Sequence, residues 1–262
     1  MTTKLTGMHA VHEALASGRP LERVTIARGR GGIRIQEIIE LARRRGVPVR
    51  FENREQIDRL AETGHHQGVV ALAAAKRTVG LEDVIARARQ PGLIILLDGV
   101  EDPRNLGAIV RTALAAGADG LVIPERRAAG LSETVAQTSA GALEHLSVAQ
   151  VKNLARAMEE LKSAGYWLIG LDERSARSHT SVDCTGPVAL VVGGEGTGLR
   201  ELTRKLCDFV VSIPTLGPVR TLNVSVAAGV ALFEVVRQRE AKAAPRQHLP
   251  GTPATGKRNQ ES

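Results

Sequence analysis

Three short stretches gather residue types that could do chemistry. The first, "LVVGGEGTGL" (190–199), is a β-branched apolar run ending in a glycine turn, with Glu195 in its middle. A dinucleotide-binding turn needs G-x-G-x-x-G after the first strand and an acid about 20 residues later. Here the spacing is Gly194-x-Gly196-x-Gly198 and the strand comes late in the chain. A phosphate-cradling P-loop needs Gly-Lys-Ser/Thr, which is absent. An acid at this place repels phosphate but accepts hydrogen bonds from sugar hydroxyls or amines. A tight strand-to-helix turn with a solvated Glu fits the pattern equally well. The second stretch is "EDPRNLGAIVRTALAAGADGLVIP" (101–124). Asp102 or Asn105 can cap a helix whose Leu106, Ile109, Val110 and Ala113 face a core and which Gly117 ends. Arg104 and Arg111 beside such a helix start suggest an anion site, against the plainer reading of two solvated arginines. The third, "SIPTLGPVRTLNVSVAAGV" (212–230), is a Pro/Gly-shaped loop that leads Asn223 and Ser225 into an otherwise apolar helix. Buried polar side chains need partners, so these two either cap backbone locally or face a ligand.

The elements that would position these stretches follow from the periodicity. "LIILLDGV", "GLVIP", "WLIGLD", "VALVVGG" and "DFVVSIP" are short, nearly continuous apolar runs separated by helical segments. That alternation predicts a parallel sheet covered on both faces. The last helix, "LNVSVAAGVALFEVVRQR", is apolar almost all round, as expected of a helix that is buried or pairs with a second chain. Before residue 76 the pattern is smaller. "GMHAVHEALASG" and "IRIQEIIELARRRG" read as helices, the latter turning Ile35, Ile38, Ile39 and Leu41 inward; "ERVTIA", "VPVRF" and "GVVALAA" read as strands. This gives a small α/β domain over 1–75, a linker over 76–92 broken at Pro91-Gly92, a larger α/β domain over 93–240, and a polar, basic, disordered tail over 241–262.

Composition narrows the function classes. Apolar residues make up 43% of 262, enough for a sizeable core, and no stretch is long and apolar enough to span a membrane. The N-terminus lacks an apolar signal core, and the two cysteines, Cys184 and Cys207, form no C-x-x-C pair, so a reducing cytoplasm without disulfides or structural zinc is expected. His65-His66 hints at metal, but adjacent histidines do not easily share one ion and no third ligand is near, so no metal is expected. The net charge of +7 is uneven: residues 1–90 carry 16 basic and 10 acidic side chains, residues 91–240 carry 15 and 17, and residues 241–262 carry 4 and 1. Basic ends around a slightly acidic middle point to a polyanion partner, nucleic acid before others. Aromatic residues are only 2%, too few for the ring-rich platforms of common RNA-binding folds, so RNA would be held mainly through backbone charge and shape.

Taken in order, "NLGAIVRTALAAGADGLVI", "LVVGGEGTGL" and "IPTLGPVRTLNVSVAAGVALFE" closely resemble the three motifs of the SpoU (TrmH) family of RNA ribose 2′-O-methyltransferases, in the SPOUT superfamily. The resemblance covers residues 91–240 and extends more loosely to 1–75, where "GMHAVHEAL" and "HHQGVVA" are similar to the L30e-like RNA-binding domain of many members. Among members, the likeness is greatest to those that methylate a guanosine ribose of 23S rRNA. The resemblance implies a parallel α/β trefoil-knot domain, a fold that general topology rules would not suggest. It also implies S-adenosylmethionine as methyl donor and an RNA substrate. The all-round apolar character of 222–236 predicts a homodimer held by the C-terminal and first-motif helices.

Carried over by position, Gly193, Gly196, Ile213, Leu216 and Leu222 would line the cofactor's adenosine pocket, and Asn105, Arg111, Glu195 and Asn223 would form the active site. On that reading the glycine turn makes room for a nucleoside and Glu195 faces the reacting atoms. The family's proposed general base is the arginine, here Arg111. Free arginine has a pKa above ~12, and bringing it to ~7 costs roughly 7 kcal/mol at about 1.4 per unit. Two roles therefore stay open: a base in a water-excluded complex, or a group that binds substrate phosphate and orients the hydroxyl. Thr221 stands where most members carry Ser, keeping the hydroxyl and adding a methyl; Arg220 nearby is an RNA contact or a solvated loop residue. A tRNA ribose methyltransferase, a resistance-type rRNA adenosine methyltransferase and a non-catalytic ribosome-assembly factor are the alternatives. The complete set of motif side chains speaks against the last.

Overall fold

The computed structural model describes residues 2–61, 66–74, 76–126, 128–218 and 220–243. His65 and residues 244–262 of the expected tail lie outside these.

Two sheets organise the chain. The first is built from β1 (Thr2–Thr6), β2 (Leu21–Ala27), β3 (Val49–Glu52) and β4 (Val69–Ala74), in the order β1-β4-β2-β3. Only β2 and β3 run parallel; β4 is antiparallel to both of its neighbours. Helices α1 (Met8–Ala16), α2 (Ile33–Arg44) and α3 (Arg54–Ala61) connect them. In α2, Ile35, Ile38 and Ala42 are buried while Ile39 and Leu41 are half-buried, so the inward stripe runs at i, i+3, i+7. No local pattern in the sequence marks β1 or α3. Each is short, and the first lies at the N-terminus, where no preceding turn marks a strand start.

The second sheet is wholly parallel among its described pairs. It comprises β5 (Leu93–Asp98), β6 (Gly120–Pro124), β7 (Ser147–Val151), β8 (Trp167–Leu171), β9 (Val188–Gly193) and β10 (Phe209–Val211), in the order β10-β8-β9-β5-β6-β7. Alternate residues serve opposite faces. Leu93, Ile95 and Leu97 of β5 join one apolar cluster with α5 (Pro103–Ala115) and α9 (Val224–Ala243), whereas Ile94 and Leu96 join another with α4 (Leu81–Arg87) and α7 (Leu154–Ser163). Short helices α6 (Glu133–Thr138) and α8 (Glu201–Leu206) complete the layers. The continuous apolar runs predicted this two-sided burial. β7 escaped the sequence reading because "SVAQV" is an edge strand with only two fully buried residues.

The connection over 76–92 is not bare. It carries α4, whose Leu81 and Val84 are buried on the second sheet, and Val79 bridges to Ala149 of β7. The two sheets are also joined directly. Arg19 of the first unit pairs with Glu144 at 2.5 Å, both side chains nearly fully buried, and Lys76 donates to the Glu144 carbonyl. Burial pushes the Lys76 ammonium below its ordinary pKa. Glu13 accepts from His145 at 2.8 Å across the same junction.

Candidate active site

The C-terminal ends of β5, β9 and β10 lie on one edge of the second sheet, where open parallel sheets place their ligands. Each end leads into one of the three stretches singled out above.

After β9 the chain folds back at once, with Gly198 N donating to the Gly194 carbonyl at 3.1 Å. A Cβ on Gly193 would fall 2.2 Å from the Gly198 carbonyl carbon, and one on Gly194 would fall 2.2 Å from the Gly99 carbonyl oxygen. Gly196 and Gly198 have φ of +74° and +63°, where side chains are strained. The turn can form only from glycine, and it lifts Glu195 to an exposed tip. Asp98, buried at the end of β5, accepts from Arg200 N at 3.0 Å and ties the far side of this turn to the central strand.

After β5, Asp102 caps α5 by accepting from Arg104 N at 2.8 Å, with Pro103 in the first turn. That decides between the two capping candidates and leaves the Asn105 amide free. After β10, Asn223 closes the loop before α9: its Oδ1 accepts from Ser225 N at 2.9 Å and Ser225 Oγ at 2.6 Å.

The three loops meet in a single hydrogen-bond chain. Asn223 Nδ2 donates to Asn105 Oδ1 at 3.0 Å, and Asn105 Nδ2 donates to Glu195 Oε1 at 2.7 Å. The carboxylate only accepts, so Asn105 must offer it Nδ2; its Oδ1 must then accept from Asn223, whose own Oδ1 takes the backbone N–H. Every amide orientation is fixed by its neighbour. Glu195 Oε2 has no partner among the described residues and stays available to a ligand.

Beside this chain lies a cleft of about 470 Å³, within the range of small-molecule sites. Gly193, Gly196, Ile213 and Leu222 line it together with Glu195, Thr221 and Asn223. Leu216 does not; its side chain is fully exposed. Arg220 also lines the cleft. Arg111 sits six residues beyond Asn105 on α5, exposed, outside the cleft and without a hydrogen bond or ion pair among the described residues. It therefore does not share the helix N-terminus with Arg104: seven residues separate them.

One wall of the cleft lies outside the three stretches. Asp172, at the end of β8, is buried; it is gripped by Arg174 Nε at 2.8 Å and Nη2 at 2.7 Å, with Arg204 Nε at 3.3 Å. The Arg174 guanidinium holds the Asp172 carboxyl below the usual range despite burial. Its signal was available: an acid closing an apolar strand, "WLIGLD", of a parallel sheet. His66 is occupied structurally, accepting from Gly68 N at Nδ1 and bonded to Asp58 through Nε2 at 2.6 Å. Among the described residues no cluster of His, Cys, Asp and Glu could hold a metal, and no helix is long and apolar enough to cross a membrane.

Comparison with known proteins bears on this arrangement. Residues 92–233 match the SpoU rRNA Methylase family, and residues 4–79 match the family described as RNA 2'-O ribose methyltransferase substrate binding. A 23S rRNA (guanosine-2'-O-)-methyltransferase, RlmB, of Xanthomonas campestris is 45% identical over 239 residues, covering 90% of this chain and 96% of that protein. A TrmH family tRNA/rRNA methyltransferase, YacO, of Bacillus subtilis is 44% identical over 236 residues, covering 89% and 94%. The crystal structure of the SpoU methyltransferase AviRb from Streptomyces viridochromogenes in complex with AdoMet superposes with a TM-score of 0.79 at 27% identity, covering 92% and 91%. With the methylase pattern spanning more than half of the chain and relatives of this identity spanning nearly all of it, the chain belongs to the SpoU rRNA methylase family.

Proposed function

We propose that this protein methylates the 2′-oxygen of a ribose in 23S rRNA, a guanosine, with S-adenosylmethionine as donor. The observation that carries this reading is the Ser225–Asn223–Asn105–Glu195 chain, which ties all three motif loops together at the mouth of a cleft. The residues present fit the donor. The glycine turn leaves side-chain-free walls for a nucleoside, Gly193, Gly196, Ile213 and Leu222 offer backbone and apolar surface, and Glu195 is an acceptor without a phosphate-binding lysine beside it. When bound, S-adenosylmethionine would supply an electrophilic sulfonium methyl to the 2′-oxygen, leaving S-adenosylhomocysteine and one proton released to solvent.

The chain's own groups orient that hydroxyl. Glu195 Oε2 accepts from it or from a neighbouring donor, while Asn105 and Asn223 hold the carboxylate still. Arg111 stands clear of the cleft of its own chain, so its role is to bind substrate phosphate at the cleft of a second protomer. A homodimer fits this placement. Val226, Val230 and Phe233 form an exposed apolar strip on α9, and Thr112, next to Arg111, packs against Gly229 of the same helix. A covering twofold partner removes that strip from water. In this reading residues 1–75 hold RNA. A pocket of about 440 Å³ lined by Arg28, Arg30 and Arg54, with no acid in its wall, gives that domain a phosphate-binding face. The C-terminal domain is a trefoil knot and the protein acts in the cytoplasm.

Ribose-methylation mapping of total RNA from a strain lacking the gene tests the whole reading. Loss of one 23S guanosine 2′-O-methyl, restored by the wild-type gene but not by Glu195→Gln, is expected. Loss at a tRNA position instead would move the substrate to the tRNA class.

A further inference from the structure

The chain holds one Trp, one Tyr and three Phe. Two of these few rings meet on one surface at the opposite end of the second sheet from the Glu195 cleft. Trp167 opens β8 and Phe209 opens β10; in register Phe209 lies beside Ile169, so both rings project from the same face. Their centroids are 5.5 Å apart with planes tilted by 40°, an ordinary aromatic pair. Yet the pair is not buried: Trp167 is 52% exposed and Phe209 half-buried. β10 is a three-residue edge strand, so among the described residues no further strand flanks the rings.

Two cations flank them. The Arg177 guanidinium carbon lies 4.7 Å from the Phe209 centroid, within cation–π range. Its Nε donates to Ser181 Oγ at 3.2 Å, which fixes its plane without neutralising it. Lys242 of α9 donates to Thr185 Oγ1 at 3.1 Å. Neither cation forms a close ion pair among the described residues; Asp183, the acid on this wall, accepts from Thr185 N at 2.9 Å and feels the charge of Lys242, which leaves Arg177 as the less opposed cation. Together these residues line a cavity of about 550 Å³.

An exposed ring with cations beside it suits a ligand that combines a flat π-surface with negative charge. We infer that this cavity is a second RNA contact, in which an unpaired nucleobase of the substrate stacks on Trp167 while Arg177 and Lys242 meet its phosphates. The inference rests on the RNA-methylating reading above and names a site on the substrate outside the target ribose. β8 separates the two by about 15 Å of strand. A strand of RNA spanning the sheet edge therefore contacts both, and stacking needs no particular base.

Trp167 is the chain's only tryptophan, so fluorescence excited beyond the tyrosine band reports on this cavity. Titration with a short mixed-sequence single-stranded oligoribonucleotide should quench it, and a blunt RNA duplex of the same length should quench it far less. Trp167→Leu should raise the KM for RNA about tenfold with kcat at saturation unchanged; Trp167→Phe should restore most of that loss, and Arg177→Gln should raise KM about threefold. S-Adenosylmethionine affinity and melting temperature, measured alongside, should stay at wild-type values in Arg177→Gln. If labelled RNA binds and is methylated while Trp167 fluorescence and the KM of both Trp167 variants stay at wild-type values, the inference is overturned and the methyltransferase reading survives. Quenching by a peptide of residues 244–262, with none by RNA, would likewise overturn it. Absence of donor binding and methylation with quenching by RNA intact would overturn the methyltransferase reading alone.

Discussion

Glu195, Asn105 and Asn223 work as a unit because each fixes the orientation of the next. Glu195→Gln keeps the shape of the side chain but replaces an acceptor oxygen by a donor at one end of the relay. kcat should fall about 100-fold or more, in the range seen when a preorganised polar group is removed from an active site, while donor affinity changes little. Single-turnover methylation and calorimetric titration of the donor check both halves. Asn105→Ala should behave like Glu195→Gln, and the double variant should be little worse than either alone, since both break the same chain. At the same scale, burial pushes the Cys184 thiol to about 11 and the Cys207 thiol to about 12, with neighbouring acids adding to it. The reactive thiolate is scarce at pH 8. An aromatic disulfide reagent should leave both cysteines intact in the native protein and modify both once it unfolds.

Elements place these residues through features that tolerate little change. The 194–198 turn packs backbone on backbone, so Gly194→Ala forces a methyl into the Gly99 carbonyl. Overpacking of this kind costs about 1–3 kcal/mol. Gly31, with open space around it and an ordinary φ, is the control: Gly31→Ala should be near neutral in thermal melts. Helix α9 adds a pH-dependent term. Arg237 and Gln238 hold the buried Glu234 carboxyl at about 2, below its ordinary 4.5. A carboxylate depressed on folding stabilises above its unfolded value, and that contribution drains as pH falls through the folded one. Melting temperature should therefore hold between pH 7 and about 5 and decline from about 4.5 towards 2. Glu234→Gln should melt lower at neutral pH and lose part of that decline.

For the whole molecule, the two units share buried contacts, Arg19–Glu144 above all. Cutting away residues 1–75 would strip the second sheet of part of its cover and confound stability with RNA binding. Arg28→Gln, Arg30→Gln and Arg54→Gln in the intact chain avoid that. RNA affinity should fall and the slope of log K against log salt should flatten by about two units, with donor affinity unchanged. The dimer is testable by complementation: Arg111→Ala and Glu195→Gln proteins, each inactive, should regain up to about a quarter of wild-type activity when mixed and exchanged, because mixed dimers hold one intact cleft. Sedimentation of a stable monomer at micromolar concentration, or no recovery on mixing, would remove the dimer from the proposal.

The sequence by itself determined the elements whose physics is local. Nearly continuous apolar runs announced strands buried on both faces, Leu106, Ile109, Val110 and Ala113 announced the inner stripe of α5, and the glycines around Glu195 announced a turn no other residue can make. It also held the three stretches that resemble one enzyme family, and so the residues worth inspecting. Tertiary structure decided what depends on contacts far apart in the chain. Asn105 and Glu195 are 90 positions apart, and only the strand order sets them side by side. Leu216, matched by position, points into solvent; Asp172, unremarked in sequence, forms part of the cleft. Arg111 leaves the cleft of its own chain because six residues of helix, at about 3.6 per turn, carry it short of two turns past Asn105 and round to another face. Spacing along a chain reports turns and stripes, whereas which loops meet is settled by sheet order and packing, which no local pattern encodes.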